Sequence, residues 1–340
     1  MPYFMYVSLQ EDDKISIFSM DAATGGLTHR DDVAVPGGPA PLTLDPQRKF
    51  LHVARRGSRE LSSYRIDQTN GSLSHISTGP LETDPCFLST DRKGNYLLAS
   101  YYEGSKVTVH PIGGDGAATA APSQTVPTAR GAHSIQTDPS NKFAFVPHIA
   151  GNGPNAIFQF TFEETTGNLT ANNPARVSLQ EELGPRHFCF HPNRDVLYFS
   201  NEQGGSVTGY NFDATAGTLS AFQTISTLPD GFDGANSCAQ IQITPSGNYL
   251  YAPNRGHNSI ACFSVDSGSG RLTSLGQVAS EPVPRAINVD PTGNFLFAAG
   301  LESGRLASYR INSNTGHLEP LATYEVGRRP MWVLVTELPG

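Results

Sequence analysis

Asp290-Pro291-Thr292-Gly293-Asn294-Phe295-Leu296 decides the fold, because it is one of six related stretches. The others are Asp45-Pro46-Gln47-Arg48-Lys49-Phe50-Leu51, Asp91-Arg92-Lys93-Gly94-Asn95-Tyr96-Leu97, Asp138-Pro139-Ser140-Asn141-Lys142-Phe143-Ala144, His191-Pro192-Asn193-Arg194-Asp195-Val196-Leu197 and Thr244-Pro245-Ser246-Gly247-Asn248-Tyr249-Leu250. Their second residues are 46, 47, 53, 53 and 46 positions apart. Proline presets φ and Gly or Asn accepts a positive φ, so each stretch reads as a tight turn entering an apolar strand. A further strand follows about a dozen residues on, as in Ser62–Ile66 or Ser259–Phe263, and most copies then carry a Gly turn such as Asn70-Gly71-Ser72-Leu73 or Thr315-Gly316-His317-Leu318. Four antiparallel strands in roughly 48 residues make one β-propeller blade. The copy holding Gly113-Gly114-Asp115-Gly116 lacks the usual third turn and should have an irregular outer hairpin.

Six copies are complete. Strands at Met5–Val7, Ile15–Phe18 and after Leu27 supply three quarters of a seventh, and Met331-Trp332-Val333-Leu334-Val335 supplies its missing innermost strand. The expectation is an all-β, seven-bladed propeller of four-stranded antiparallel blades. It forms a single domain over residues 1–340, closed by pairing of the C-terminal strand with the N-terminal blade, which removes open sheet edges.

Composition agrees. The 340 residues include 34 Gly and 25 Pro, together above the usual share of roughly 12%. No run of about 18 apolar residues predicts a membrane span. Met1–Tyr6 has neither a basic nor a long apolar leader character, which points to the cytoplasm. The net charge of −8 argues against a nucleic-acid partner. Cys86, Cys189, Cys238 and Cys262 show no metal-ligand spacing and read as buried thiols.

Alternating strand direction puts the Asp-Pro turns and Thr-Gly turns on one face, the bottom. The lead-ins to the innermost strands and the ends of the second strands share the other face, the top. There the sequence gathers Arg55, Arg56, Tyr101, Tyr102, His133, His148, Arg186, His187, Glu202, Arg255, His257, Arg285 and Arg329, with few acids among them. Such a mouth favours an anionic guest, since Arg offers bidentate recognition of carboxylate or phosphate.

These residues resemble the lactonase family of seven-bladed propellers, whose members include bacterial 6-phosphogluconolactonases and fungal carboxy-cis,cis-muconate cyclases. The resemblance covers essentially the whole chain and is carried by Gly184-Pro185-Arg186-His187-Phe188, Ser200-Asn201-Glu202 and Asn254-Arg255-Gly256-His257-Asn258-Ser259-Ile260, supported by Gly131-Ala132-His133-Ser134. It implies that His133, Glu202, Arg186 and Arg255 form the catalytic group of a hydrolase opening an anionic sugar lactone. Glu202 or His133 would activate water, with His133 also the proton donor to the leaving alkoxide, while the arginines would hold the oxyanion or an acidic group of the substrate. His187, His257, His148, Arg285, Tyr101 and Arg329 are the expected substrate-binding residues. The resemblance calls for no cofactor and no metal.

Two features depart from the pattern, the long Pro147–Pro154 loop and the Arg328-Arg329 pair. Two other functions remain open at this point: a cycloisomerase acting on a carboxymuconate-type dicarboxylate or lactone, and a non-catalytic propeller, which would show an exposed apolar patch. The expected partner is a small anionic substrate, on a monomer or weak homo-oligomer.

Overall fold

Alternating apolar residues bounded by turns give short strands, and a computed structural model, which describes residues 1–339, places 28 of them in seven four-stranded antiparallel sheets around one axis. Blade 1 is Pro39–Leu44, Phe50–Arg55, Glu60–Ile66 and Leu73–Pro80 from the inside outward. Blades 2 to 6 span 87–127, 136–178, 185–226, 242–279 and 284–325. Blade 7 joins the C-terminal strand Pro330–Glu337 to Tyr3–Leu9, Lys14–Met20 and Leu27–Ala34. The closing pair runs in register from Tyr3 opposite Glu337 to Ser8 opposite Trp332, then slips by one residue at Leu9. The expected ring and its closure are both present. As expected, blade 2 is irregular: its outer strand is only Gln124–Pro127, preceded by a bridge between Ile112 and Ala118.

The core lies between blades rather than on the axis. Tyr6, Ile15 and Ile17 of blade 7 pack on Leu42, Leu51, Val53 and Tyr64 of blade 1, and comparable clusters fill the other interfaces. The second strands are buried on both faces and the outermost strands are largely exposed, which is why only the former read as continuous apolar runs.

The repeated turn aspartate has a definite task. In blades 1, 2, 3 and 6 its Oδ1 accepts two backbone N–H groups across the turn: Lys49 and Phe50 on Asp45, Asn95 and Tyr96 on Asp91, Lys142 and Phe143 on Asp138, Asn294 and Phe295 on Asp290. Oδ2 accepts a third from the residue two positions on. Thr244 serves Tyr249 the same way in blade 5, and His191 Nδ1 accepts from Asn193 in blade 4. The turns thus satisfy their own backbone at the buried end of each inner hairpin.

The Gly turns lock neighbouring blades together. Gly71 has φ +74°, and a Cβ there would lie 2.5 Å from Phe4 of blade 7; at Gly167 it would lie 2.6 Å from Tyr96 of blade 2. Only glycine offers both the left-handed backbone and the room for the aromatic ring. Gly116, in the irregular hairpin, seats Phe50 likewise, so blade 2 changes the turn but keeps the contact.

Asp138→Ala should remove one such acceptor and leave the N–H groups of Ser140, Lys142 and Phe143 without a partner. The expected cost is about 1–3 kcal/mol of stability, read as a lowered urea midpoint at unchanged slope, with turnover intact because the turn lies on the face opposite the cationic mouth.

Candidate active site

Strand register converts the repeat into two rings of side chains at the top face. Pro39, Pro185, Pro284 and Pro330 pair with Arg55, Asn201, Gly300 and Leu9, and Ala132 and Cys238 bridge to His148 and Asn254 in the same way. In blades 4, 6 and 7 the ladder slips just after this pair, which gives the inner strand one extra residue there: Arg186, Arg285 and Met331. A bulge of this kind re-aims a side chain. The equivalent place in blade 3 is His133. One residue beyond the second strand, the matching positions are Gln10, Arg56, Tyr102, Ile149, Glu202, Arg255 and Leu301. His133, Arg186 and Arg285 of the first ring and Glu202, Arg255 and Tyr102 of the second therefore come together from five blades.

Glu202 is the centre of this group. Its Oε2 lies 2.8 Å from Arg186 Nε and 3.8 Å from His133 Nε2, and its Oε1 lies 3.1 Å from Arg255 Nη2. Arg255 is anchored to the carbonyls of Ser237 and Cys238. Arg186, almost wholly buried, is held by the Glu202 carboxylate rather than by backbone carbonyls. Arg186 Nη1, His133 Nδ1 and His187 Nε2 are all buried polar atoms with no hydrogen-bond partner. Folded proteins leave few such atoms, and a cluster of them marks a place built for another molecule.

The floor below is aromatic. Phe87, His187 and Trp332, from blades 2, 4 and 7, meet edge to face or tilted with ring centroids 5.1, 5.6 and 6.0 Å apart. His133 packs on His187 at 5.2 Å and on Tyr102 at 5.8 Å. Beside the group a cavity of about 300 Å³ is lined by Gln10, Arg56, Gly57, Asp84, Arg285, Leu301, Arg329 and Met331. That volume is at the lower end for small-molecule sites, about 300–1,000 Å³.

This geometry has relatives. The family model "Lactonase, 7-bladed beta-propeller" matches residues 3–335. The chain belongs to that lactonase family. It is 36% identical over 338 residues to a 6-phosphogluconolactonase of Pectobacterium carotovorum, covering 99% of this chain and 100% of that one, and 36% identical over 335 residues to a 6-phosphogluconolactonase of Sodalis glossinidius, covering 98% and 99%. The solved structure of a periplasmic gluconolactonase from Pseudomonas aeruginosa superposes with a TM-score of 0.91 at 25% identity, covering all of both chains.

Electrostatics assign protonation states within this lactonase propeller. Burial raises the Glu202 carboxyl, but Arg186 and Arg255 more than offset it and hold it below the ordinary value, so it is ionised. Burial and then the charges of Arg186, His187 and Arg285 push His133 well below the usual imidazole value; burial, Arg186, Arg285 and Arg255 do the same to His187. Both imidazoles are neutral near pH 7. His133 is thus a base with a lone pair to use.

Not every expected residue joins them. Tyr101 points the other way: its ring lies among Ala54, Leu61, Leu88 and Leu97, and its hydroxyl bonds Thr108. Alternation along the strand makes Tyr102, one residue on, the tyrosine that faces His133. His148 occupies the place of Tyr101 in blade 3; it packs on Phe158 at 4.3 Å and its Nδ1 bonds the Val146 carbonyl, away from Glu202. His257 sits at the rim, held by Ser259 and packed on Phe232. Arg329 reaches the cavity beside Arg285 but faces Glu11 at 3.5 Å. The top is also less cationic than the sequence reading had it, because Arg56 pairs with Asp84, Arg130 with Glu103 and Arg328 with Asp12.

The long loop after His148 braces the site: Asn152 accepts from the Tyr102 hydroxyl, and Gln203 accepts from Ala150 N–H. Phe87 and Trp332 were missed as floor residues. Phe87 stands five residues before the second turn residue of its copy, as His187 does, and Trp332 follows Pro330-Met331 as His187 follows Pro185-Arg186, so the repeat carried the signal. All four cysteines are free; Cys189 is only half-buried, at the wall of the axial channel.

The buried histidines make stability pH-dependent. His148 titrates at about 4 because burial disfavours its cation, whereas the unfolded chain binds that proton near 6.5. The unfolded state holds more protons between these values, so stability is full above pH 6.5 and is lost as the pH falls towards 4. His148→Phe should cut about 3 kcal/mol from the loss between pH 7 and pH 4, measured by urea unfolding at both values.

Proposed function

We propose that the protein hydrolyses the ester of an anionic sugar lactone at the Glu202 cluster. The curated relatives named 6-phosphogluconolactonase match across the full chain, and the gluconolactonase structure shares the entire ring. The observation that carries the reading is the set of unpartnered buried polar atoms on His133, Arg186 and His187 beside the Glu202 carboxylate. Together with Arg255 they supply a base, two cations and a carboxylate around one point above the aromatic floor. Met1 and Leu321 are the exposed large apolar side chains among the described residues, which is not the surface of a docking platform.

The chemistry follows from the protonation states. Neutral His133 takes a proton from water as the water oxygen bonds to the lactone carbonyl carbon. The carbonyl electron pair moves onto oxygen, and Arg186 and Arg255 stabilise that charge in a site where burial strengthens them. Glu202 holds both guanidinium groups and stabilises the imidazolium that forms beside it. The tetrahedral intermediate then breaks its ring C–O bond, and the proton on His133 passes to the departing alkoxide. Lactone and water become a hydroxy acid, whose carboxylate forms opposite the same two arginines. His133 serves first as base and then as acid, while Glu202 is held ionised by two cations.

His133→Ala and Glu202→Gln should each lower kcat/KM about 10²–10⁴-fold, measured as acid release above the spontaneous rate. The acid limb of the wild-type kcat/KM profile should lie below pH 6.5, because burial and its cationic neighbours keep His133 unprotonated there. A limb at or above pH 6.5, or full turnover in both variants, would place the base elsewhere.

A further inference from the structure

The long loop from Pro147 to Pro154 is tied to the neighbours of three reacting groups. The Pro147 carbonyl accepts from His133 N–H, Ile149 N–H donates to the Gly131 carbonyl, and Ala150 N–H donates to Gln203, the residue after Glu202. Asn155, just past the loop, accepts from Gly184 N–H, two residues before Arg186. The fold-back is tight. A Cβ at Gly153 would lie 2.4 Å from the Ile149 carbonyl oxygen and 2.9 Å from that of Arg130, so only glycine fits there.

One further tie leaves the loop sideways. Asn152 Oδ1 accepts from the Tyr102 hydroxyl at 3.2 Å, and the Tyr102 ring meets the edge of His133 with centroids 5.8 Å apart. Exposure falls inward along this series: Asn152 is exposed, Tyr102 part-exposed and His133 only 6% exposed. Tyr102 therefore stands between His133 and solvent. The other sides of His133 are occupied. His187 packs on it at 5.2 Å, Glu202 faces its Nε2 at 3.8 Å, and Arg186 and Arg285 act on it by charge, while Arg130 and Glu103 at the rim pair with each other. Among the groups that face it Glu202 alone favours the imidazolium. Burial is the largest influence keeping the ring neutral, ahead of the charges of Arg186, His187 and Arg285. The Tyr102 ring supplies the part of that burial which faces water.

We propose that Tyr102, latched to the loop by Asn152, is the positioning residue that keeps water off the outer side of His133 and so sets how acidic a medium the site tolerates. Tyr102 acts through His133 and not on the substrate. The proposal rests on the hydrolase reading for the reaction it serves, but the titration of His133 is observable without turnover. Removing the ring admits water, which hydrates the imidazolium and screens the arginines, and each effect favours protonation of the base.

The experiment compares wild type, Tyr102→Ala, Tyr102→Phe, Asn152→Ala and the double variant of the last two. The pH profile of kcat/KM is measured on 6-phosphoglucono-δ-lactone and glucono-δ-lactone above the spontaneous rate. The His133 imidazole is titrated by NMR, its signal identified by its loss in His133→Ala. In Tyr102→Ala the acid limb and the His133 titration should both rise by about one pH unit, so that the loss of turnover grows as the pH falls. Tyr102→Phe and Asn152→Ala break the same bond, so each should give a smaller rise of equal size, and the double variant should rise no further. A limb and titration unmoved in Tyr102→Ala, a loss equal at every pH, or additive shifts in the double variant overturns the assignment. Should wild type open neither lactone above the spontaneous rate, the hydrolase reading fails on its own, and the NMR titrations decide the latch. Asn152→Ala, at an exposed residue, serves if Tyr102→Ala does not fold, and an unmoved His133 titration there overturns the latch.

Discussion

Everything at the top face depends on closure of the ring by Pro330–Glu337 against Tyr3–Leu9. Seven twisted sheets pack face to face through apolar clusters, and those clusters are complete only when the last sheet finds the first. Closure brings seven innermost strands to one axis at a distance that side chains can span. Phe87, His187 and Trp332 then touch from blades 2, 4 and 7, although they are far apart in sequence. Trp332 belongs to the closing strand itself, so the seam that seals the molecule also completes the floor of the site.

The same convergence forces cations together. Arg186, Arg255 and Arg285 repel one another in a poorly solvated place, and one carboxylate, Glu202, cannot neutralise all three. Burial lowers Arg186 to about 10, a measure of how little its environment favours the charge. A protein selected only for stability would fill these ring positions with apolar side chains, as Ala40, Ala239, Met331 and Leu301 do at equivalent places. Local cost concentrated at one point of a regular fold is the signature of a working site. The neutral imidazole of His133 follows from the same crowding, since the cations that prepare the site for an oxyanion also keep the base unprotonated.

Much of this was legible in the sequence because a repeat multiplies each signal. A turn that recurs six times fixes strand order, and strand order assigns each loop to a face. That was enough to bring His133, Arg186, Glu202, Arg255 and Arg285 to one mouth. What failed was resolution to a single residue. Tyr101 and Tyr102 both end a strand, and a side-chain period of two decides which of them faces the axis; only the pairing register supplies that phase. His148 was misplaced for the same reason. Pairing of Arg56 with Asp84 joins the end of one blade to the lead-in of the next, a distance that blade-by-blade reading does not contain. The turns were explained through Pro, Gly and Asn alone, whereas the oxygens of their aspartates are occupied by backbone N–H groups. A carboxylate five residues before an aromatic strand residue carries that information once the turn is recognised as a cap.

The axis also explains why chemistry belongs to one end. Below the aromatic floor lies a hollow of about 350 Å³ touched by all seven blades. Its polar side chains are largely committed to the strands: Gln136 donates to the Phe188 carbonyl, Gln240 accepts from Ile287 N–H, Asn288 accepts from Val335 N–H, and Arg92 donates to the carbonyls of Thr137 and Asp138. These bonds stitch adjacent inner strands together at a level where the ladders within each blade have no reach. Above the floor Arg186 Nη1, His133 Nδ1 and His187 Nε2 are uncommitted. One tunnel is therefore divided by three rings into a half whose hydrogen bonds hold the wheel together and a half whose hydrogen bonds are kept for a guest.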